Sequence, residues 1–342
     1  MTTELDCSIG ASVEVTYGTI VTPTKFVEFT DETLDWSPTF SQGTGLRVGS
    51  RVARAARRAQ LPVQQQVTGD FTCEAASKGL GWIFNAAFGT VTTTQRGATG
   101  VYQQNHTLVT SDFLPSWTIQ KGTPPLGGGA TVAHTFAGMV CSQLEIDAPN
   151  SGIVTVKSTW NGQKVDTATG YAAPSYPTPV ELFEFQEGAI TIGGTPTAPT
   201  TTALATSGTA VAEIRDFTFL LDNGLDTGGF TLGGGGKRAR KPAVGVAPIT
   251  GTMTAEFDAT TYRDAYLNQT DLAVVLTFTG ASTIGSSDHP ALQIYIPNIR
   301  LESELPKANG GDVITQSLSY TVLDNLSAAP VTLCYVSTDT AP

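Results

Sequence analysis

An all-β fold with minor helix, built as two tandem copies of one unit, is what this 342-residue sequence predicts. Three observations carry that reading. Charged residues make up only 14 % of the chain while Gly, Thr, Ser, Ala and Val abound, a composition of many turns and few helical segments. Apolar and polar residues alternate over short runs, the period of half-buried strands. Two patterns are also written twice. "VEFTDETLDW" places Glu28, Phe29, Asp31, Thr33 and Leu34 in the order of Glu213, Ile214, Asp216, Thr218 and Phe219 in "AEIRDFTFLLDN". Val67, Thr68, Gly69 and Phe71 likewise match Ile249, Thr250, Gly251 and Met253. The length suits two ordinary domains, each with its own core. Their boundary falls near residue 180, give or take about ten, so that the units are 1–180 and 181–342.

Each Thr-Gly strand runs into the one helix of its half. In "CEAASKGLGWIFNAAFG" Leu80, Ile83, Phe84 and Ala87 share a face and Gly89 is placed to stop the helix. In "DATTYRDAYLNQ" Asp258 is expected to cap, with Ala259, Tyr262 and Tyr266 on one face. The closing hairpins are "LEIDAPNSGIVTVKSTW" (Leu144 to Trp160) and "LESELPKANGGDVITQSLSY" (Leu301 to Tyr320), each with Pro, Asn and Gly at its turn. The offset between halves is 182 at the Thr-Gly strands and about 157 to 160 at the hairpins, so the first half carries some 20 to 25 extra residues. They are assigned to an insert at about 90–135, expected as an exposed hairpin or loop. "YAAPSYPTPV" and "GGTPTAPTTTALATSG" read as linker on either side of the strand-like "ELFEFQEGAITIGG".

The formal net charge is −11, yet Arg47, Arg51, Arg54, Arg57 and Arg58 crowd one stretch and Lys237, Arg238, Arg240 and Lys241 another. These two arms hold nine of the nineteen Lys and Arg, which leaves ten basic residues against thirty acidic ones elsewhere. The rest of the surface should repel polyanions. Arginine-rich segments often bind nucleic acid, but these have no interleaved aromatics and no nucleic-acid motif, and the body around them is acidic. Docking on the acidic surface of another copy, where Arg binds carboxylates in bidentate fashion, is the favoured reading.

Catalytic chemistry is not expected. His106, His134 and His289 sit apart, with no HExxH, no CxxC and no nucleophile elbow around a credible serine. Cys7, Cys73, Cys141 and Cys334 read as reduced, mostly buried thiols. Gly233 to Gly236 depart from a phosphate loop at Thr231 and Arg238 and read as a flexible loop. Glu181, Glu184 and Glu187 read as a solvated edge, because no calcium loop accompanies them. No catalytic residue, cofactor or metal is therefore expected. No apolar run approaches the roughly 20 residues of a membrane span. The first 25 residues hold glutamates and threonines in place of a signal sequence, so neither membrane nor Sec export is expected. A surface adhesin or carbohydrate-binding module is the alternative class and calls for exposed aromatic platforms. Trp36, Trp82, Trp117 and Trp160 instead lie mainly in apolar contexts that imply core packing. A β-rich glycosidase would need a carboxylate pair in a cleft.

The order of elements resembles the tail tube proteins of long-tailed bacteriophages, in particular the type with a duplicated tube domain. The residues that carry the likeness are "GASVEVTYGTIVTPTKFVEFTDETLDW", the long loop before "VTGDFTCEAASKGLGWIFNAAFG", "LPSWTIQKG", "FAGMVCSQLEI" and "IPNIRLESELPKANGGDVITQSLSY", across most of residues 10 to 330. The resemblance implies two tail-tube domains, each a β-sandwich with one flanking helix, whose inner strands join those of neighbours into a barrel around a channel. Six such domains make a ring, so a duplicated chain implies homotrimeric rings with pseudo-six-fold symmetry. Stacked rings form a conduit for double-stranded DNA, which passes an acidic lumen without specific binding. By the same resemblance, Arg47 to Arg58 and Lys237 to Lys241 lie in loops that reach the adjacent ring. The implied partners are the chain itself, a tape-measure protein and tail-terminator or tip proteins; the implied location is the virion tail, assembled in the host cytoplasm.

Overall fold

The structure, a computed structural model, describes residues 6–49, 51–97, 100–303, 305–307 and 313–342. The first half contains β1 (Ser8–Val13), β2 (Lys25–Val27), β3 (Asp31–Glu32), β4 (Asp35–Trp36), β5 (Val67–Glu74), α1 (Gly81–Phe88) and β6 (Gly89–Gln95). It continues with β7 (Tyr102–Leu108), β8 (Trp117–Thr123), β9 (Val132–Ala148), β10 (Thr155–Gly162) and β11 (Lys164–Asp166). The second half holds β12 (Gly188–Ile192), β13 (Ile214–Asp222), β14 (Ile249–Glu256) and α2 (Thr261–Asn268), followed by β15 (Leu272–Thr279), β16 (Ala291–Ser303), β17 (Thr315–Val322) and β18 (Thr332–Ser337). The chain is all-β with minor α, and its strands pair antiparallel.

Nine strands at eight positions form one continuous layer, β3 and β4 sharing the edge position beside β5. The edge pair β3 and β4 bonds to β5, β5 to β10, and β10 to the second part of β9. There β9 bonds to β13, and β13 to β14, β14 to β17 and β17 to the end of β16. The layer is thus a four-strand set followed by a second set in the same order, joined by the β9–β13 seam. Registers agree as well as order. Asp31 faces Thr72 and Glu32 faces Phe71, as Asp216 faces Thr254 and Phe217 faces Met253. The Thr-Gly pairs acquire a physical reason here. A Cβ on Gly69 would lie 2.6 Å from the Thr33 carbonyl oxygen, and one on Gly251 would lie 2.0 Å from that of Thr218. In both sets the neighbouring backbone occupies the space of a side chain, so only glycine fits. The hairpins match in a register other than the expected one: Trp160 faces Cys141 and Tyr320 faces Leu301, so Leu301 corresponds to Cys141 and not to Leu144. The expected second turn, at Asn309 to Gly311, lies outside the described residues.

Behind this layer stand two others. In the first half, β2, β1, β8, the first part of β9 and β11 pair in that order. In the second, β12, β15, the first part of β16 and β18 do the same. To β18 are then added β7 and β6, which come from the first half. The insert expected to be an exposed loop is therefore largely built in. Gln103, Gln104 and His106 of β7 are fully buried, because β18 offers a free edge that the hairpin satisfies. The stretch expected as linker is folded too: Thr197 bridges Thr206, and Gln103 donates to the carbonyls of Thr200 and Ala203.

The core of the first half is aromatic. Trp82 stacks with Phe71 and Trp160 at 6.0 Å and tilts against Trp117 at 5.3 Å; these three tryptophans are at most 3 % exposed. Helix α1 is buried around its whole circumference, and Gly89 ends it in the left-handed conformation with its N–H on the Asn85 carbonyl. In α2, Thr260 and not Asp258 is the N-cap, and Ala259 lies exposed before the helix starts. Cys73, Cys141 and Cys334 are buried free thiols, with Cys7 half-buried. Burial pushes Cys73 and Cys334 up to about 12, which keeps them unreactive.

His106 packs edge-on to Phe84 under α1, and among the described residues neither ring nitrogen has a partner. Burial lowers its pKa from 6.5 to about 3. The neutral ring is thus the folded form, and its contribution is intact above pH 6.5. Below that value, stability should fall by up to about 1.4 kcal/mol per pH unit until the folded pKa is reached. Thermal melts at pH 6.5 and 5.0 should show a larger loss for the wild type than for His106→Leu. Equal slopes would remove His106 from the acid response.

Candidate functional site: an open acidic face and two basic arms

Strand alternation gives the continuous layer two unlike faces. One carries Phe71, Leu144, Ile146, Trp160, Phe219 and Met253 into the core. The other is covered by no described strand layer and is built from threonine, serine and carboxylates. Along it stand Asp70 and Glu74 on β5, Glu145 and Asp147 on β9, and Asp216 and Asp222 on β13. Glu256, Glu302 and the edge residues Asp31 and Asp35 continue the series on β14, β16, β3 and β4. The signal was present in the sequence: "LEIDA" and "GDFTCE" alternate acid with apolar residues, the mark of a sheet with one wet face.

Lys157 is the cation in the middle of this field, 3.0 Å from Asp70. Its pKa is raised by the hydrogen bond and charge of Asp70, with Glu145 and Asp31 adding to the effect. Burial works to raise Asp70, but hydrogen bonds from Thr33 and Lys157 hold it below the ordinary carboxylate value. Asp147 is raised by burial and then by repulsion from Glu145 and Asp216. Those three carboxylates share one patch across the β9–β13 seam, and the patch repels anions collectively. Arg215 and Arg300 are engaged by Glu256 and Asp271.

The basic clusters differ in placement. Arm 1, residues 37–66, is a projecting hairpin held by bridges between Thr39 and Gln64 and between Gln42 and Arg58. Arg47, Arg51, Arg57 and Arg58 are exposed, and Arg54 is half-buried, with Nη2 donating to the Gly45 carbonyl at 2.9 Å. Arm 2, residues 223–248, folds back on the first half of its own chain. Arg238 is 1 % exposed. Its Nε donates to the Thr227 carbonyl at 2.8 Å and its Nη1 to the Gly162 carbonyl at 3.2 Å, and its guanidinium lies 5.6 Å from the Phe230 ring centre. Lys241 donates to the Leu114 carbonyl, Arg240 pairs with Asp226, and Lys237 is half-buried. At the tip, the Gly236 carbonyl accepts from the Gln65 N–H of arm 1.

Glu181 accepts from the Ser282 hydroxyl at 2.5 Å, and Glu184 and Glu187 form a capping box on a 3-10 turn. His289 Nδ1 lies 3.1 Å from the Gly280 carbonyl oxygen. Among the described residues no three His, Cys, Asp or Glu are placed to hold a metal ion, and no helix is long and apolar enough to cross a membrane. The arrangement offers a long anionic surface and one projecting cationic hairpin, arm 1. A family model described as phage tail tube protein matches residues 5–322. Comparison with curated proteins gives no match.

Proposed function

The chain belongs to the phage tail tube protein family and is a structural component of the virion tail, and we propose that three copies close each ring of the tube by repeating the β9–β13 seam between chains. The seam is the observation that supports this reading. It joins two equivalent four-strand sets and leaves β3 and β4 at one end of the layer and the last residues of β16 at the other. The same step taken between copies sets Ser37 of one chain opposite Glu302 of the next, as Asp222 faces Gln143. Edges that would otherwise template aggregation are thereby closed.

Barrel geometry supports three chains over two. Strands about 4.8 Å apart and tilted about 40° give a 24-strand barrel, from three chains of eight strand positions, a backbone diameter of roughly 48 Å. Side chains reduce the bore to roughly 37 Å, which admits a hydrated duplex about 20 Å wide. Two chains would leave roughly 21 Å and no room for water between DNA and wall. The acidic face then lines the bore, where few cations stand ready to bind phosphate. Stacking of rings is assigned to the exposed arginines of arm 1, which meet the acidic neighbouring ring. Native mass spectrometry of isolated rings, with cryo-electron microscopy of the bore, tests the reading. Three chains with both halves on the channel are expected. Six chains with the second half outside the channel would overturn it.

A further inference from the structure

The two arms share a feature that neither their charge count nor their length requires. In arm 1 the Arg58 guanidinium lies 5.3 Å from the centre of the Phe40 ring; in arm 2 Arg238 lies 5.6 Å from that of Phe230. Each arginine is also the residue at which the return strand of its hairpin bridges the outgoing one, Gln42 with Arg58 and Phe230 with Arg238. The environments are opposite. Arg238 is sealed against the first half of its own chain, with the Gln163 amide donating to its carbonyl oxygen at 2.8 Å, whereas Arg58 is exposed. Arm 1 therefore carries the same anchor as arm 2, and among the described residues no other part of its own chain covers Arg58.

We propose that the Arg58–Phe40 anchor docks on the second half of the neighbouring copy in the same ring, as Arg238–Phe230 docks on the first half of its own chain. The inference rests on the ring proposed above, because a repeated seam brings a second half to arm 1 in the position the first half holds for arm 2. The receiving face follows from strand register. Trp160 faces Gly69 as Tyr320 faces Gly251, so Gly162 and Gln163, which hold Arg238, correspond to Val322 and Leu323 at the end of β17. The next residue is Lys164 in the first half and Asp324 in the second. An exposed carboxylate thus stands on the face offered to the arm with five arginines, and arginine binds carboxylate in two-point fashion. The base of arm 1 couples chains around the ring, while its outer arginines remain free to act along the tube axis.

The test uses the full chain with Phe40→p-benzoylphenylalanine, an aromatic-for-aromatic exchange, irradiated as isolated single rings. Products of two- and three-chain mass are expected, with the attached peptide drawn from around Val322 to Asp324 of another copy. Leu323→p-benzoylphenylalanine probes the contact from the receiving side and should label arm 1, which keeps the test open if the first variant closes no rings. Three-chain rings whose cross-links from both positions stay within one chain, or form only after rings stack, would overturn the lateral contact and leave the ring itself standing. Chains that never associate while the wild type does not either would overturn both.

Discussion

Virions built with Glu74→Lys/Asp147→Lys protein are expected to release their DNA at least ten-fold more slowly than wild type, and the defect should shrink as salt rises. The two side chains flank Thr155 in one cross-strand row, so the change replaces adjacent anions of the open face with cations that repeat in every ring. A duplex resting on such a surface exchanges condensed counterions for lysines. With as few as six phosphates neutralised at once, affinity falls by about a thousand-fold between 50 and 200 mM salt. Glu74→Gln/Asp147→Asn removes the repulsion without supplying a ligand and should fall between the two. Release timed by a DNA-binding dye, with tube morphology checked by electron microscopy, decides the matter. Normal release through normal tubes of the lysine variant would show that wall charge does not govern passage.

Arg47→Glu/Arg51→Glu/Arg57→Glu is expected to leave rings intact and to reduce tubes to single rings, at least ten-fold fewer tubes being counted by negative stain. All three side chains are exposed, so the fold loses little. What changes is the sign of arm 1, and on the proposed stacking like charges in register cost more than an exposed ion pair gains. Wild-type tubes should also shorten in high salt, because attraction between exposed charges is screened beyond about 10 Å at 0.1 M. Tubes of wild-type length from the triple variant would take stacking away from these residues.

Local patterns proved legible, and long-range pairings did not. Asp31 and Thr33 fall in register with Asp216 and Thr218, and in both strands one carbonyl, that of Thr33 or Thr218, closes on a facing glycine. The stop at Gly89 was readable from the need for a left-handed residue. By contrast, the partner of "YQQNHTL" is a strand at the opposite end of the chain, and polar residues at 103, 104 and 106 disguise a buried strand as an exposed one. Arginine content located both arms but could not distinguish an arm sealed by Gly162 from a free one, since carbonyl acceptors belong to the backbone and leave no letter in the sequence. The acidic face was written as alternation, yet which acids share it emerges only once β9 is seen to pair with β13.

The exchange of the β6–β7 hairpin bears on how the protein is made. Leu333 faces His106 and Cys334 faces Asn105, so the hairpin is complete in the nascent chain long before the strand that covers it leaves the ribosome. At roughly 5–20 residues per second that interval is on the order of tens of seconds. Throughout it the second half lacks its outermost strands, and the first half holds a naked strand edge. A polypeptide released early would display both defects and offer partners an incomplete surface. A chain that stops short of β18 would leave β7 as an unpaired edge, the kind that templates aggregation.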